Sequence, residues 1–243
     1  MLLLTITLRR LSASLLFLLL SSRAAAALPL PVSPTDVAAA SSADVIAKAQ
    51  TLMDAGSHAD AIVLLQPLAE QMESMGEEAG RHAERVRCML MLAECYDATD
   101  QPDAAYTIAK RLMQLPLTEE EKAETTEMLI LCAYDWATLL INTRERPQQL
   151  QQAQSLLYEV LPLATGDDLH ALRKCLAFAW YVEGHLHLVV QEEGAGRRCM
   201  TEAYPLFCQI GHSTGAYLSA KAAGDASREL CELQPALEAY EKA

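Results

Sequence analysis

Apolar residues recur along this chain at the three- and four-residue intervals that place side chains on one face of a helix. One such stripe joins Met128, Leu131, Cys132, Trp136 and Leu139. No segment alternates apolar and polar residues at period two, so no sheet is expected. The pattern predicts an all-α protein of about ten helices arranged as about five antiparallel pairs.

Capping motifs and helix breakers divide the chain into these pairs. Thr118 and Glu121 have the spacing of a capping box, in which each side chain bonds the backbone N–H of the other residue. Pro147 suits the first turn of a helix, where a backbone N–H has no partner within the helix. Gly194–Gly196 is interpreted as a loop between helices. The breaks predict pairs over about residues 43–75, 77–116, 118–165, 167–211 and 213–243, the last of them truncated.

A proline-leucine pair recurs late in the second helices, at Pro67, Pro162 and Pro205. Because an interior proline removes a backbone hydrogen bond, at a cost of roughly 3 kcal/mol, its recurrence predicts a shared kink or an early helix end. Self-similarity at a spacing of some forty residues indicates a repeat array. Such arrays form superhelices with an extended binding surface.

The amino-terminal segment has the composition of an export signal. Arg9 and Arg10 precede an apolar run that ends at Leu20, and Ala24–Ala27 supply the small residues of a cleavage site. The apolar run is shorter than the roughly 20 residues that span a bilayer, which favours cleavage over a membrane anchor. The mature protein is expected in the periplasm or another extracytoplasmic compartment, without membrane insertion unless the chain continues beyond Ala243. The expected division is a signal peptide, a flexible linker and a helical repeat domain, over residues 1–27, 28–42 and 43–243.

The net charge of the chain limits the classes of partner to be expected. The formal net charge is −13, and no basic stretch follows the leader that could neutralise a row of phosphates, so nucleic acid is not an expected partner. The acidity is consistent with a solvated surface that keeps the protein soluble, or with a cationic partner.

The chain has seven cysteines, an odd number that leaves at least one thiol unpaired. Most lie among apolar helical neighbours and are expected to be buried.

Small residues recur twelve positions apart on the two helices of a pair. These pairs are Ala49 with Ala61, Ala93 with Ala105, and Gly224 with Ala236. Large residues beside these positions fill the space next to each close helix contact. They are Leu92 and Tyr96 on either side of Ala93, and Tyr240 four residues after Ala236. The spacings resemble the tetratricopeptide repeat (TPR), in the long-period bacterial form found in exported adaptors and sensor input regions. In the fourth repeat, Ala179 and Gly184 both fit the small position.

The resemblance implies a right-handed superhelix, or α-solenoid, whose first helices line a concave face. HEAT-type or other helical repeats are the alternative fold. The residues that the TPR pattern directs into the concave face, and therefore toward a protein or peptide partner, are Arg87, Leu90, Glu94, Asp97, Tyr134, Leu218, Lys221, Asp225 and Arg228.

The sequence contains no common catalytic, phosphate-binding or metal-binding motif. There is no phosphate-binding glycine loop, no nucleophile elbow and no pair of cysteines spaced for zinc. His185 and His187 are two apart, a spacing at which helical side chains do not face each other. Cys208 and His212 are four apart, but Gly211 is expected to end the helix between them. No metal site, cofactor or catalytic residue is therefore predicted.

The main functional prediction is a non-enzymatic scaffold that binds a protein or peptide. One alternative is the extracytoplasmic input region of a larger membrane-bound signalling protein, such as a sensor histidine kinase or a transcription regulator. A weaker alternative is an assembly scaffold on the cell surface.

Overall fold

The structure is a computed structural model that describes residues 41–74, 81–143 and 147–243. The predicted signal peptide, nearly all of the predicted linker and the predicted break between the first two helix pairs lie outside the described residues. The described residues form ten α-helices and no strand, which confirms the prediction of an all-α protein built from helix pairs. None of these helices combines the length and the apolar character that crossing a bilayer requires.

The helices follow one another with short connections. In chain order they are α1 (Ser42–Asp54), α2 (His58–Ser74), α3 (His82–Ala98), α4 (Pro102–Leu112), α5 (Glu119–Thr143), α6 (Pro147–Val160), α7 (Gly166–Val189), α8 (Glu193–Gln209), α9 (Ser213–Glu229) and α10 (Leu233–Lys242). A 3-10 turn, Leu161–Leu163, extends α6.

Each helix packs against the next one, and the first helices of neighbouring pairs also touch, α1 with α3, α3 with α5 and α5 with α7. Within the described ranges, no helix makes an extensive contact with a helix more than two places away. Contacts that reach only neighbouring units define a solenoid, whose repeats each bury a face against the next. The described part of the chain is thus a TPR-like α-solenoid, and the right-handed path of its superhelix stays a prediction.

The apolar core follows the stack as successive clusters. One cluster fills the space between α1, α2 and α3, and a second joins α4, α5, α6 and α7. A smaller cluster around Phe207 closes the contact of α7, α8 and α9. Tyr96 on α3 packs against both of the larger clusters and so links them.

One turn geometry recurs inside the helix pairs. The second residue after the first helix has a left-handed backbone at Gly56, Asp100, Gln191 and Cys231, with φ between 57° and 77°. The following N–H bonds a carbonyl five residues back, as from Ser57 to Leu52 at 2.8 Å. This is the Schellman arrangement, which satisfies the last carbonyls of a helix. The turn between α5 and α6 falls on residues 144–146, outside the described part of the chain.

The capping box at the start of α5 forms as predicted. The backbone N–H of Thr118 donates to Glu121 Oε2 at 2.9 Å, and the backbone N–H of Glu121 donates to Thr118 Oγ1 at 3.3 Å. Pro147 is the first residue of α6, also as predicted.

Two interpretations from the sequence are wrong. Gly194–Gly196 is not a loop, because α8 already begins at Glu193. A Cβ atom at Gly196 would lie 2.5 Å from Leu188 Cδ2, so this glycine serves close packing of α8 on α7. The prolines also share no single geometry. Pro67 and Pro205 lie inside continuous helices, whereas the third, Pro162, lies in the 3-10 turn.

Candidate functional site

The residues predicted to pack the helix pairs lie at helix contacts. Those that are buried are Ala49, Ala61, Leu92, Ala93, Ala105, Gly224 and Ala236. Tyr96 is half-buried, and its hydroxyl donates to Gln66 Oε1 at 3.2 Å. Tyr240 is 38% exposed, but its ring lies directly against Gly224.

The structure also resolves the register of the fourth repeat. Gly184 on α7 faces α8, where a Cβ atom at this position would meet Met200 Cε at 3.0 Å. Gly196 follows Gly184 by twelve residues, the spacing of the other small pairs, and Met200 occupies the position that Tyr240 occupies in the last repeat. Ala179, the other candidate, is buried in the core cluster that α7 shares with α5 and α6.

The predicted concave-face residues of α3 and α5 differ in exposure. Arg87 and Glu94 are exposed, whereas Leu90 and Asp97 are half-buried. Leu90 packs against the first core cluster, and Tyr134 on α5 packs against the second. Leu90 and Tyr134 therefore contribute to packing, and only part of each side chain is accessible.

The predicted concave-face residues of α9 interact with one another. Asp225 lies 3.8 Å from Lys221 and 4.0 Å from Arg228, and it accepts a hydrogen bond from the Tyr240 hydroxyl at 2.7 Å. Leu218 is 39% exposed. Because α9 and α3, both fully described, make no extensive contact with each other, the structure does not join the two sets into one site.

A groove lies between the second helices α2 and α4, on the side of α3 away from its predicted concave-face residues. The sequence did not indicate it. Its volume is about 350 Å³, within the range of about 300–1,000 Å³ typical of ligand sites. Its apolar lining consists of Ala69, Met89, Leu92, Ala104, Ile108 and Trp136, and its polar lining of Gln66, Glu70, Glu73, Tyr96, Asp103, Thr107 and Arg111.

The polar lining of the groove is acidic. Arg111 pairs with Glu73 across it, from α4 to α2, which leaves Glu70 and Asp103 as further negative groups. Burial and the nearby charge of Glu70 raise the pKa of Tyr96, so its hydroxyl keeps its proton at neutral pH. The groove thus combines an apolar floor with an acidic rim.

A buried polar cluster forms where α6, α7 and α8 meet. Glu183 is 3% exposed, and its carboxylate accepts hydrogen bonds from Gln154 Nε2 at 2.6 Å and Gln151 Nε2 at 3.1 Å. His187 and Cys199 complete a group whose ligand atoms all lie within 4.8 Å of one another. Glu183 and His187 are four residues apart on one helix, a spacing that the sequence displays. Nothing in the sequence indicated that Cys199 would join them.

The cysteines all lie in the described part of the chain, and none of them forms a disulfide there. Cys88, Cys95, Cys132, Cys175 and Cys199 are buried, and Cys208 and Cys231 are exposed. Burial raises the pKa of Cys88 and Cys132 to about 12 and the pKa of Cys95 and Cys175 to about 11. Burial, and then the charge of Glu183, raise the pKa of Cys199 to about 12. These five thiols remain protonated at neutral pH and behave as small apolar groups.

No protein-family model matches this chain, and no curated protein matches it. Among solved structures, it is similar to a single-substitution variant of a protein from Podosopora anserina that is provisionally assigned as a kinesin light chain with nearly identical TPR-like repeats. That match has a TM-score of 0.36 and 16% identity, and it covers 82% of this chain and 91% of the other. A second crystal structure of the same protein gives a TM-score of 0.35 at 16% identity, over 82% and 92% of the two chains. MamA gives a TM-score of 0.31 at 16% identity, over 80% and 91%.

Proposed function

We propose that this protein is a non-enzymatic scaffold that binds a partner protein by holding a basic, partly apolar segment of it in the groove between α2 and α4. The observation that carries the proposal is the groove itself, with its apolar floor and acidic rim. Apolar contacts supply most of the free energy of peptide binding, and a few polar groups set the orientation.

The charges of the rim define the chemistry of the segment. Arg111 neutralises Glu73, so Glu70 and Asp103 are left to attract cationic side chains. The net charge of −13 adds a long-range attraction for a basic partner, which raises the rate of encounter. Ile108 and Trp136, the large partly exposed apolar residues of the lining, suit aliphatic side chains placed between the basic residues.

Trp136 offers a direct test, because it lines the groove and is one of only two tryptophans in the chain. A peptide that alternates lysine or arginine with leucine should change its fluorescence in a saturable way. A matched peptide with glutamate in place of the basic residues should not. Raising the salt concentration should weaken the binding, because exposed charges are screened.

The site is then checked by removing its charges. The double variant Glu70→Gln with Asp103→Asn should weaken binding of the basic peptide by about two- to fivefold per charge, the range of exposed ion pairs. The control is Glu238→Gln with Glu241→Gln, which removes two exposed acids on α10, away from the groove. If the two variants weaken binding equally, the peptide responds to net charge alone and the groove is not its site.

We also propose that the protein is exported, on the basis of Arg9, Arg10, the apolar run and the alanine site that follow them in the sequence. Expression of the full chain with a carboxyl-terminal tag, followed by cell fractionation and amino-terminal sequencing, tests this. Export predicts a shortened protein outside the cytoplasm with an amino terminus near Leu28. An intact amino terminus in the cytoplasmic fraction contradicts it.

A further inference from the structure

We propose that the junction of α6, α7 and α8 binds a zinc ion through Glu183, His187 and Cys199. The carboxylate, imidazole and thiol atoms of these residues all lie within 4.8 Å of one another. This site is separate from the groove between α2 and α4, which shares none of its residues.

The geometry of α7 suits two side chains that bind the same metal ion. Residues four apart lie on the same face of a helix, so Glu183 and His187 point in the same direction. His187 Nε2 lies 3.8 Å from Glu183 Oε1, which is longer than a hydrogen bond. Zinc–ligand distances of about 2.0–2.3 Å place two ligands of a tetrahedral site about 3.5 Å apart, close to this separation.

Two glycines bring the third ligand to the first two. A Cβ atom at Gly184 would lie 3.1 Å from Cys199 Cβ and 3.3 Å from the carbonyl oxygen of Gly196. Because neither glycine has a side chain, α8 approaches α7 closely enough for the Cys199 thiol to reach the carboxylate and the imidazole. The contact is therefore shaped at the backbone, before any ion binds.

The buried carboxyl group of Glu183 favours a cation at this position. Its side chain is 3% exposed, and its hydrogen-bond donors are the neutral amides of Gln151 and Gln154 and the thiol of Cys199. These amides satisfy the carboxylate oxygens without adding positive charge. A carboxylate removed from water is costly unless a positive group compensates it.

The surrounding residues have the arrangement of a support shell for a metal site. Glu192 Oε2 lies 2.6 Å from His187 Nδ1, so the carboxylate can hold the proton on Nδ1 and leave the lone pair of Nε2 facing the cluster. The glutamines fix the carboxylate of Glu183 in the same way. Such second contacts orient the ligands of a metal and raise its affinity.

The donor set selects the metal. One oxygen, one nitrogen and one sulfur suit zinc, whereas calcium and magnesium require oxygen ligands. The Cys199 thiol loses its proton to solvent as the ion binds. Three protein ligands leave the fourth position of a tetrahedral zinc ion for a water molecule.

Cobalt(II) serves as a spectroscopic substitute for zinc in the test. The full-length chain is stripped with a chelator and titrated with Co²⁺, and its absorption is recorded. We expect visible bands of tetrahedral cobalt and a near-ultraviolet band of thiolate-to-cobalt charge transfer, both saturating at one equivalent. Zinc should abolish both, and magnesium and calcium should not.

Variants assign the ligands. Cys199→Ser should remove the charge-transfer band, and Glu192→Gln should weaken zinc binding by about 10–100-fold through the loss of support for His187. The matched control is Cys208→Ser, which removes an exposed thiol from the same helix and should leave the spectrum unchanged. Circular dichroism verifies that each variant is folded, and His187→Ala is tested in place of any that is not. Absence of cobalt binding, or a charge-transfer band that persists without Cys199, would overturn the proposal.

Discussion

The ring of Tyr240 on α10 packs against the backbone of Gly224 on α9 so closely that a Cβ atom at Gly224 would lie 2.6 Å from Tyr240 Cε1. The hydroxyl of the same tyrosine donates to Asp225 Oδ1 at 2.7 Å, which holds the ring over the glycine. This contact joins the last two helices, and Met200 makes the corresponding contact with Gly184 one repeat earlier.

The effect of a methyl group at Gly224 should depend on Tyr240. Gly224→Ala alone should destabilise the protein by about 1 kcal/mol, because overpacking costs about 1–3 kcal/mol while alanine regains roughly 1 kcal/mol of helix propensity. In a Tyr240→Ala background the same change should stabilise it, since only the propensity gain remains. Urea unfolding of the four proteins of this double-mutant cycle measures both values. An equal effect in both backgrounds would mean that the ring is not held against the glycine.

The capping box of α5 should make stability depend on pH. The pKa of Glu121 is lowered, first by the backbone N–H of Thr118 and then by its hydroxyl, because both donate to the charged carboxylate. This stabilisation is fully present above the ordinary glutamate pKa of about 4.3 and is lost as the pH falls through the lower pKa of the folded state. Glu121→Gln should therefore reduce the free energy of unfolding at pH 7 and have little effect in acid.

Two further variants complete this test. Thr118→Ala should cost about 1 kcal/mol at pH 7, the usual loss for an N-cap residue. Glu120→Gln is the control, since it changes an acid in the same turn that is not part of the capping box. A pH profile of thermal unfolding for the variants and the unmodified chain distinguishes them. The box would be excluded as the cause if Glu120→Gln and Glu121→Gln gave the same profile.

The thiols should fall into two classes of reactivity. Cys208 and Cys231 are exposed and should react promptly with a thiol reagent in the native protein. The five buried thiols should react only as the protein unfolds, because burial raises their pKa and so lowers the fraction of thiolate. Cys208→Ser with Cys231→Ser should abolish the prompt phase. Prompt reaction of more than two thiols in the unmodified native chain would contradict the burial of the others.

A charge-reversal variant separates the two possible partner surfaces. The TPR resemblance assigns the partner to the first helices, where Arg87 and Arg228 lie, whereas the groove lies between second helices. If the groove is the site, Arg87→Glu with Arg228→Glu should leave the affinity for the basic peptide within about twofold or slightly tighter, through added negative charge. Titration of the peptide against this variant and the groove variant measures the difference. Strong tightening in the arginine variant, with no change in the groove variant, would place the basic peptide on the first helices.

The predictions from the sequence agree best with the structure where the interactions concerned join residues close together in the chain. Thr118 and Glu121 are three residues apart, and their reciprocal hydrogen bonds require nothing beyond the first turn of α5. The twelve-residue pairing of small residues is nearly as local, because it joins two helices through one short turn. Where the expected helix limits were wrong, as at Gly194–Gly196, glycines that allow close packing had been interpreted as glycines of a loop.

The sequence by itself therefore determined the helical class, the pairing of the helices and the small residues at their contacts, because these follow from periodicity and from interactions within one or two helices. Only the tertiary structure decided the two sites. The groove combines α2, α3, α4 and Trp136 of α5, and the polar cluster combines α6, α7 and α8. Cys199 reaches Glu183 only because Gly184 and Gly196 let two backbones approach. A juxtaposition of this kind depends on the angle and distance between helices, which no spacing along the chain records.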